Sequence, residues 1–195
     1  MTDPYDNPQP VLHTVTDRGA PLTLRPARLD DAPGVLIACT DPESQRWTTV
    51  PLDYDHEKAV GWVTGYAPGW WERRQGAAFV LADADDAYVG QIDLRVSGDP
   101  QVADVGFLTA PHARGHGYMS AAVRAVAEWG IRELGLARVE WKAHVGNDGS
   151  RRVAERAGFT YEGIQRSGCA HRGERRDAWT AALVREDLSG SEEKA

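Results

Sequence analysis

The chain has 195 residues, and its 29 acidic side chains outnumber 22 lysines and arginines for a formal charge of −7, which argues against a broad basic face for nucleic acid. That length suits one well-buried core, in a single domain or a tightly merged pair. The two cysteines, Cys39 and Cys169, lie far apart and in no metal-ligand spacing, so neither a disulfide framework nor a metal site is expected, and a reducing, cytoplasmic setting is.

Taken in order, residues 1–20 are polar, lack the basic and apolar pattern of a signal peptide, and read as a flexible N-terminal segment. Residues 21–27 (PLTLRPA) read as a strand and 29–40 (LDDAPGVLIACT) as a helix with Asp30 as its N-cap. A second helical region spans 53–74 and is interrupted near Pro68. Residues 76–84 and 87–96 form a hairpin across the acidic turn DADD. A central strand, ADVGFLTAP, stops at Pro111, which cannot donate to a ladder. The helix SAAVRAVAEWGIREL follows, with Ala122, Val126, Trp129 and Ile131 on its buried side. Then come a strand at 136–145, a short helix from Asn147 ended by Gly158, and two strands, FTYEGIQRSG and RRDAWTAALV. This order predicts a mixed α/β sheet with one parallel crossover, in a single domain over 21–188, followed by a flexible tail at 189–195. No run reaches the ~18 apolar residues of a membrane span.

Between the central strand and its helix stands PHARGHGYM, residues 111–119. The first-turn N–H groups of a helix lack intrahelical partners and its dipole makes that end partly positive, so an anion is welcome there. Gly115 and Gly117 let a phosphate approach the main chain, and Arg114 adds a planar cation. A plain glycine-rich turn is the competing reading. The next strand ends at HVGNDGS, where Asn147 either donates its amide to a ligand or caps the following helix. From Asp148 to Asp177 arginines at 151, 152, 156, 166, 172, 175 and 176 outnumber acids, as a solvated face or as phosphate ligands.

Arg114-Gly115-x-Gly117 at a helix start, with Asn147-x-x-Ser150 some 30 residues on and then Ala157-Gly158-Phe159, resembles the GCN5-related N-acetyltransferase (GNAT) family. The segments GFTYEG and RRDAW resemble its ribosomal-protein N-terminal acetyltransferase (Rim-type) branch. The resemblance implies a mostly antiparallel mixed sheet whose central parallel pair is splayed around the coenzyme A site, flanked by helices. It implies acetyl-CoA as cosubstrate, without a metal, its pyrophosphate on Gly115, His116, Gly117, Tyr118, Met119 and Ser120, with Arg114 and Asn147 beside it. Phe107, Leu108 and Thr109 then bind the pantetheine and the thioester carbonyl. Two positions depart from the family pattern: Met119 stands where glycine or alanine is usual, and Ala154 where a tyrosine protonates the leaving thiolate.

Acetyl transfer needs a neutral amine, an oxyanion donor and a proton for the thiolate. Ser150, one turn into the short helix, is the candidate acid; a hydroxyl that only satisfies the helix start is the alternative. Asp104, opening the central strand, is the candidate base, with Asp93, Glu162 and Asp177 as further carboxylates. Trp47, Trp62, Trp70 and Trp71 fall in the part that covers the acceptor in the family. Trp62 is expected in the core, and the Trp70–Trp71 segment, with Gly65, Pro68 and Gly69, is expected to act as a lid governing the acceptor; a homodimer contact is the other use for such tryptophans. The acceptor is a protein N-terminus, a small-molecule amine or a lysine. Two other functions compete. A non-catalytic acyl-CoA sensor would keep the cradle without the tyrosine. Gly115-x-Gly117-x-x-Ser120 with Glu140 resembles a dinucleotide fingerprint of an oxidoreductase, weakened by the missing third glycine and the single βαβ unit.

Overall fold

A computed structural model describes residues 3–96 and 98–189. Eight strands share one sheet: β1 (Leu12–Val15), β2 (Pro21–Arg25), β3 (Gly76–Ala82), β4 (Tyr88–Val96), β5 (Val102–Thr109), β6 (Arg138–His144), β7 (Thr160–His171) and β8 (Glu174–Val184). Their order is β1-β2-β3-β4-β5-β6-β8-β7, and only β5 and β6 run parallel. The helices are α1 (Ala32–Thr40), α2 (Pro42–Trp47), α3 (His56–Gly61), α4 (Ala67–Glu72), α5 (Tyr118–Glu133), α6 (Asp148–Arg156) and α7 (Arg185–Ser189).

Both faces of the sheet are covered. The apolar stripe of α5, Ala122, Val123, Val126, Ala127 and Ile131, packs with Phe79, Ile92, Leu94, Val105, Val139 and Trp141 in the main core. Val35 and Cys39 of α1 join Ala59 and Val63 in a smaller cluster that packs on Leu108 and Tyr88. β3 is buried at every position, which is why GAAFVLA is a continuous apolar run rather than an alternating one.

Three expectations are corrected. Residues 1–20 contain β1, antiparallel to β2, and Tyr5 lies 4.5 Å from Trp71, ring centre to ring centre. The stretch LHTV is too short and too polar to show a strand pattern, and pairing with β2 decides it. Beyond Ser189 the expected tail lies outside the described residues. Asp31, not Asp30, works at the start of α1: its Oδ2 accepts the Arg28 N–H at 2.7 Å. Pro68 does not break the helical region, because a π-turn at Trp62–Tyr66 widens the chain just ahead of it and Ala67 N–H reaches the Trp62 carbonyl. The chain also forms α2, capped by Asp41 through the Ser44 N–H at 2.9 Å.

One buried ion pair ties the first strands to α1. Arg25 (4% exposed) forks onto both oxygens of Asp31 (5% exposed) at 2.8 and 2.9 Å and reaches Asp86 of the β3–β4 turn at 2.9 Å. The Asp31 hydrogen bonds hold the guanidinium charged, well above its ordinary pKa, against the pull of burial. Removing one partner strands the other charge inside the protein. Arg25→Ala is expected to lower stability by about 3–5 kcal/mol. Arg28→Ala, which breaks an exposed pair to the same Asp86, should cost less than about 1 kcal/mol. Urea melts of the two variants check the contrast.

Candidate active site

The site starts where β5 and β6 part. Their pairing stops at Val105–Trp141, while β5 stays on β4 as far as Thr109 and β6 stays on β8 as far as His144. Each strand follows its antiparallel partner, and the sheet's twist carries the two pairs apart. Between them opens a cleft of about 1040 Å³, lined by residues 105–109 on one side and Trp141, Lys142, Ala143 and His144 on the other. The main-chain groups of β5 that would have bonded β6 face this space.

At one end the chain leaves β5, makes a short 3-10 turn at Pro111–Ala113 and enters α5 through Gly115 (φ 78°) and Gly117 (φ 86°). Both glycines hold left-handed backbone that side chains rarely adopt. Gly117 is the N-cap and has no side chain to satisfy the first turn, and the first intrahelical bond is Ala121 N–H to its carbonyl. The first-turn amides ahead of it lack intrahelical partners, and Gly117 to Ser120 line the cleft. Met119 is 4% exposed and turned toward the sheet, where its Cε lies 3.2 Å from the place a Cβ on Gly90 would take, so its side chain leaves the cradle clear. His116 is the member of 114–120 that does not line the cleft; its Nδ1 lies 3.0 Å from the Arg114 carbonyl.

Arg114 has a different partner from the expected phosphate. Its guanidinium binds Asp41 and, at 3.2 Å, the Ser44 hydroxyl, fastening α2 to the cradle. Burial would raise the Asp41 carboxyl, but the Arg114 and Ser44 hydrogen bonds win and lower it. Among the described residues, the cleft-lining arginines without an ion pair are Arg18 of the β1–β2 turn and Arg152 and Arg156 of α6. Arg18 escaped sequence reading because β1 did.

Asn147 caps α6, its Oδ1 accepting the Ser150 N–H at 3.1 Å. The Ser150 hydroxyl is not spent on the helix start. Its Oγ accepts from the indole Nε1 of Trp141 at 3.0 Å, so its own proton is left for another acceptor in the cleft. Ala154 is 1% exposed and packs in the core.

The fold and the cleft agree with what the chain is similar to. The model of the acetyltransferase (GNAT) domain matches residues 21–160. The chain belongs to the GNAT acetyltransferase family. Among curated proteins it is 36% identical over 128 residues to "Putative ribosomal N-acetyltransferase YdaF" of Bacillus subtilis (strain 168), covering 63% of this chain and 69% of that protein. It is 34% identical over 110 residues to "Probable N-acetyltransferase YjcK" of the same organism, covering 55% of this chain and 61% of that protein. Mycobacterium smegmatis RimJ, solved in complex with CoA-disulfide, shares the fold at TM-score 0.79 and 22% identity, over 93% of this chain and 90% of that one. The reaction class of this GNAT domain is acyl transfer from acetyl-CoA to an amine, and the dinucleotide reading falls: Glu140 is hydrogen-bonded to Arg138 at 2.8 Å and does not line the cleft.

Within the GNAT site the carboxylates sort by partner. Asp104 lines the cleft, but its carboxylate is paired with Arg95 rather than free. Gly106 makes room for that pair: a Cβ there would stand 2.9 Å from the Arg95 Nη2. Asp93 lies behind the wall, its Oδ1 buried without a partner and its Oδ2 accepting from the Tyr66 hydroxyl at 3.1 Å. Burial pushes its pKa up to about 6 against the pull of Arg95 and Tyr66. Glu162 is held by Arg138 outside the cleft, and Asp177 accepts the Ser167 N–H at 2.8 Å.

The expected lid is also corrected. Trp71 is core: it lies 6.1 Å from Trp129, and its Nε1 donates to the Asn7 carbonyl at 2.9 Å. Neither it nor Trp70 lines the cleft, whereas Trp47 of α2 does. Trp62, expected in the core, is half-buried and packs against the edge of the smaller cluster.

If Arg152 and Arg156 hold phosphate, Arg152→Ala/Arg156→Ala should weaken CoA binding by about tenfold or more, with a shallower salt dependence. Arg151→Ala is the control: that side chain is spent on Glu155 at 2.8 Å and on the rings of Tyr161 and Trp179. Calorimetric titration with CoA at two salt concentrations separates them.

Proposed function

We propose that this GNAT enzyme acetylates a peptide N-terminus, with the cradle of residues 115–120 holding the pyrophosphate of acetyl-CoA and β5 holding the thioester. One observation carries the reading: the open first turn of α5 and the gap between β5 and β6 are one continuous cleft. A phosphate held at one end therefore sets a thioester beside the acceptor at the other. That far end is bounded by Thr48, Thr49, Gly168 and Ala170, small residues that leave room for an extended main chain. The likeness to a putative ribosomal N-acetyltransferase, YdaF, points the same way.

When bound, acetyl-CoA supplies an activated acetyl group, and the protein's own groups do the rest. Main-chain groups at residues 107–109 stabilise the developing oxyanion. The cradle and α2, locked together by Arg114 and Asp41, fix the alignment of donor and acceptor. Ser150 gives its proton to the departing sulfur, with Trp141 fixing the hydroxyl rotamer and making it more acidic. Asp104 and Arg95 form a polar wall for the incoming amine. We assign β1 together with residues 21–188 to this one domain and place the reaction in the cytoplasm, where the free thiols Cys39 and Cys169 stay reduced. No helix among the described residues is long and apolar enough to cross a membrane. A homodimer would have to use surfaces other than Trp71 and Trp47, which the core and the cleft take up.

Purified protein given acetyl-CoA and a panel of peptides and small amines should release CoA thiol, and CoA rather than NAD should raise its melting temperature. Protection without thiol release would instead identify a sensor. Ser150→Ala is expected to lower kcat by about 10²-fold while CoA protection stays. Trp141→Phe, which keeps most of the ring packing but removes the N–H, should lower kcat by about tenfold. Single-turnover rates with thermal melts on the same samples check both.

A further inference from the structure

Two histidines stand at the acceptor side of the cleft, and the reaction as described uses neither. His144 ends β6, lines the cleft and is 6% exposed; His171 ends β7 and is 5% exposed. Their rings meet edge to face, 4.9 Å between centroids and 80° between planes. In each, Nδ1 is sealed in protein without a hydrogen-bond partner. The Nε2 of His144 is then the nitrogen with access to the cleft. Buried polar atoms without partners are uncommon and costly, and two in contact beside a reaction site call for a use.

We propose that His144 is the general base that takes the proton from the acceptor amine, and that His171 is the positioning residue that orients it. The proposal rests on the acetyl-transfer reading. His144 lies past the point where β5 and β6 separate, and its carbonyl accepts the Asn147 N–H at 3.0 Å, which joins it to the cap of α6. Trp141, which holds Ser150, points to one face of β6, and His144 to the other. The two proton-handling groups thus flank one strand end: the amine enters on the His144 side and the sulfur leaves on the Ser150 side.

The balance is simple. The amine nitrogen attacks the carbonyl carbon, the C–N bond forms, and the C–S bond breaks with its electron pair on sulfur. Sulfur takes the Ser150 proton, which water replaces. The surplus proton on nitrogen passes to His144 Nε2 and from there to solvent. An amine that enters as an ammonium leaves acetamide, free thiol and one proton.

The surroundings keep the pair neutral and able to accept. Facing it are Arg176 of β8, Arg172 of the hairpin tip, Glu174 opposite His171, Lys142 on the same face of β6, Cys169 on β7, and Asp177, whose carboxylate is taken by Ser167. Burial first, then His171 and Arg176, hold His144 below its ordinary pKa. Burial, Arg176 and Arg172 do the same to His171 against Glu174. A base in this state works above its pKa, so activity should fall as pH drops through it.

The test uses the full chain with acetyl-CoA and four amines: a Ser-initiated hexapeptide, an Ala-initiated hexapeptide, an internal-lysine peptide and spermidine. On whichever the wild type turns over, His144→Gln should lower kcat/KM at least thirtyfold at neutral pH, erase the acidic limb of the pH profile, and leave CoA thermal protection intact. His171→Gln should keep most of the neutral-pH rate and move the limb to higher pH, because the neighbour that disfavoured the His144 cation is gone. Asp93→Asn should leave the limb in place. A limb that survives His144→Gln, or that vanishes in Asp93→Asn instead, overturns the proposal alone, as does equal loss of rate and CoA protection. No turnover of any amine by the wild type overturns the acetyl-transfer reading, and the proposal with it.

Discussion

The separation of β5 from β6 is the constraint on which the rest depends. A parallel pair joined by a crossover helix would ordinarily bond along its whole length and close the sheet. Here each strand keeps its antiparallel neighbour to the end, β5 with β4 to Thr109 and β6 with β8 to His144, and only residues 102–105 pair with 138–141. Two sheet halves therefore diverge from a common seam. The core under α5 anchors the seam through Val105, Val139 and Trp141. Unpaired main chain, which would be costly if buried dry, becomes a binding edge.

Two arginines hold the walls at fixed distance. Arg114 ties the cradle to Asp41 and Ser44 at the start of α2, and Arg172 of the β7–β8 tip donates to the Gln45 and Val50 carbonyls at 2.8 and 3.1 Å. The short helix α2 is thus clamped from the donor side and from the hairpin. Trp47 at its end lies 3.7 Å from where a Cβ on Gly146 would sit, against the turn that leads to Asn147. A helix of six residues has little stability of its own, so these contacts, rather than propensity, decide that it forms. Arg114 is therefore better placed to align the two substrates than to bind either one.

What the sequence made legible was what local physics decides. The hairpin of β3 and β4, the α5 stripe, the glycines before it and the Asn147 cap each follow from periodicity, turn chemistry or orphaned amides, and the structure has them all. What stayed hidden depends on pairing across the chain. β1 exists because β2 lies beside it, and with it comes Arg18. Asp104 looks like a free strand-end acid until Arg95 is found opposite it in the ladder. Trp70 and Trp71 look like a mobile aromatic pair beside glycines, yet Trp71 is fixed by Tyr5 and Trp129, distant in sequence. The histidine pair joins the ends of β6 and β7 and carries no local pattern at all.

Net charge would have misled about the ligand, and the cleft shows why. A chain of charge −7 concentrates unpaired guanidinium groups of Arg18, Arg152 and Arg156 at the donor end, with Asp148 as the nearby acid. Elsewhere on the cleft wall Arg95 is paired with Asp104, and Glu43 with Arg46 and the Trp47 indole. The anionic donor is thus drawn to one end of the cleft, because the field inside a low-dielectric groove is set by its own walls. The acidic surplus elsewhere repels polyanions, while a small phosphate ester still meets a basic mouth. That polarity fixes the direction of approach, with the thioester reaching the splayed strands from the cradle and the amine from the side of His144.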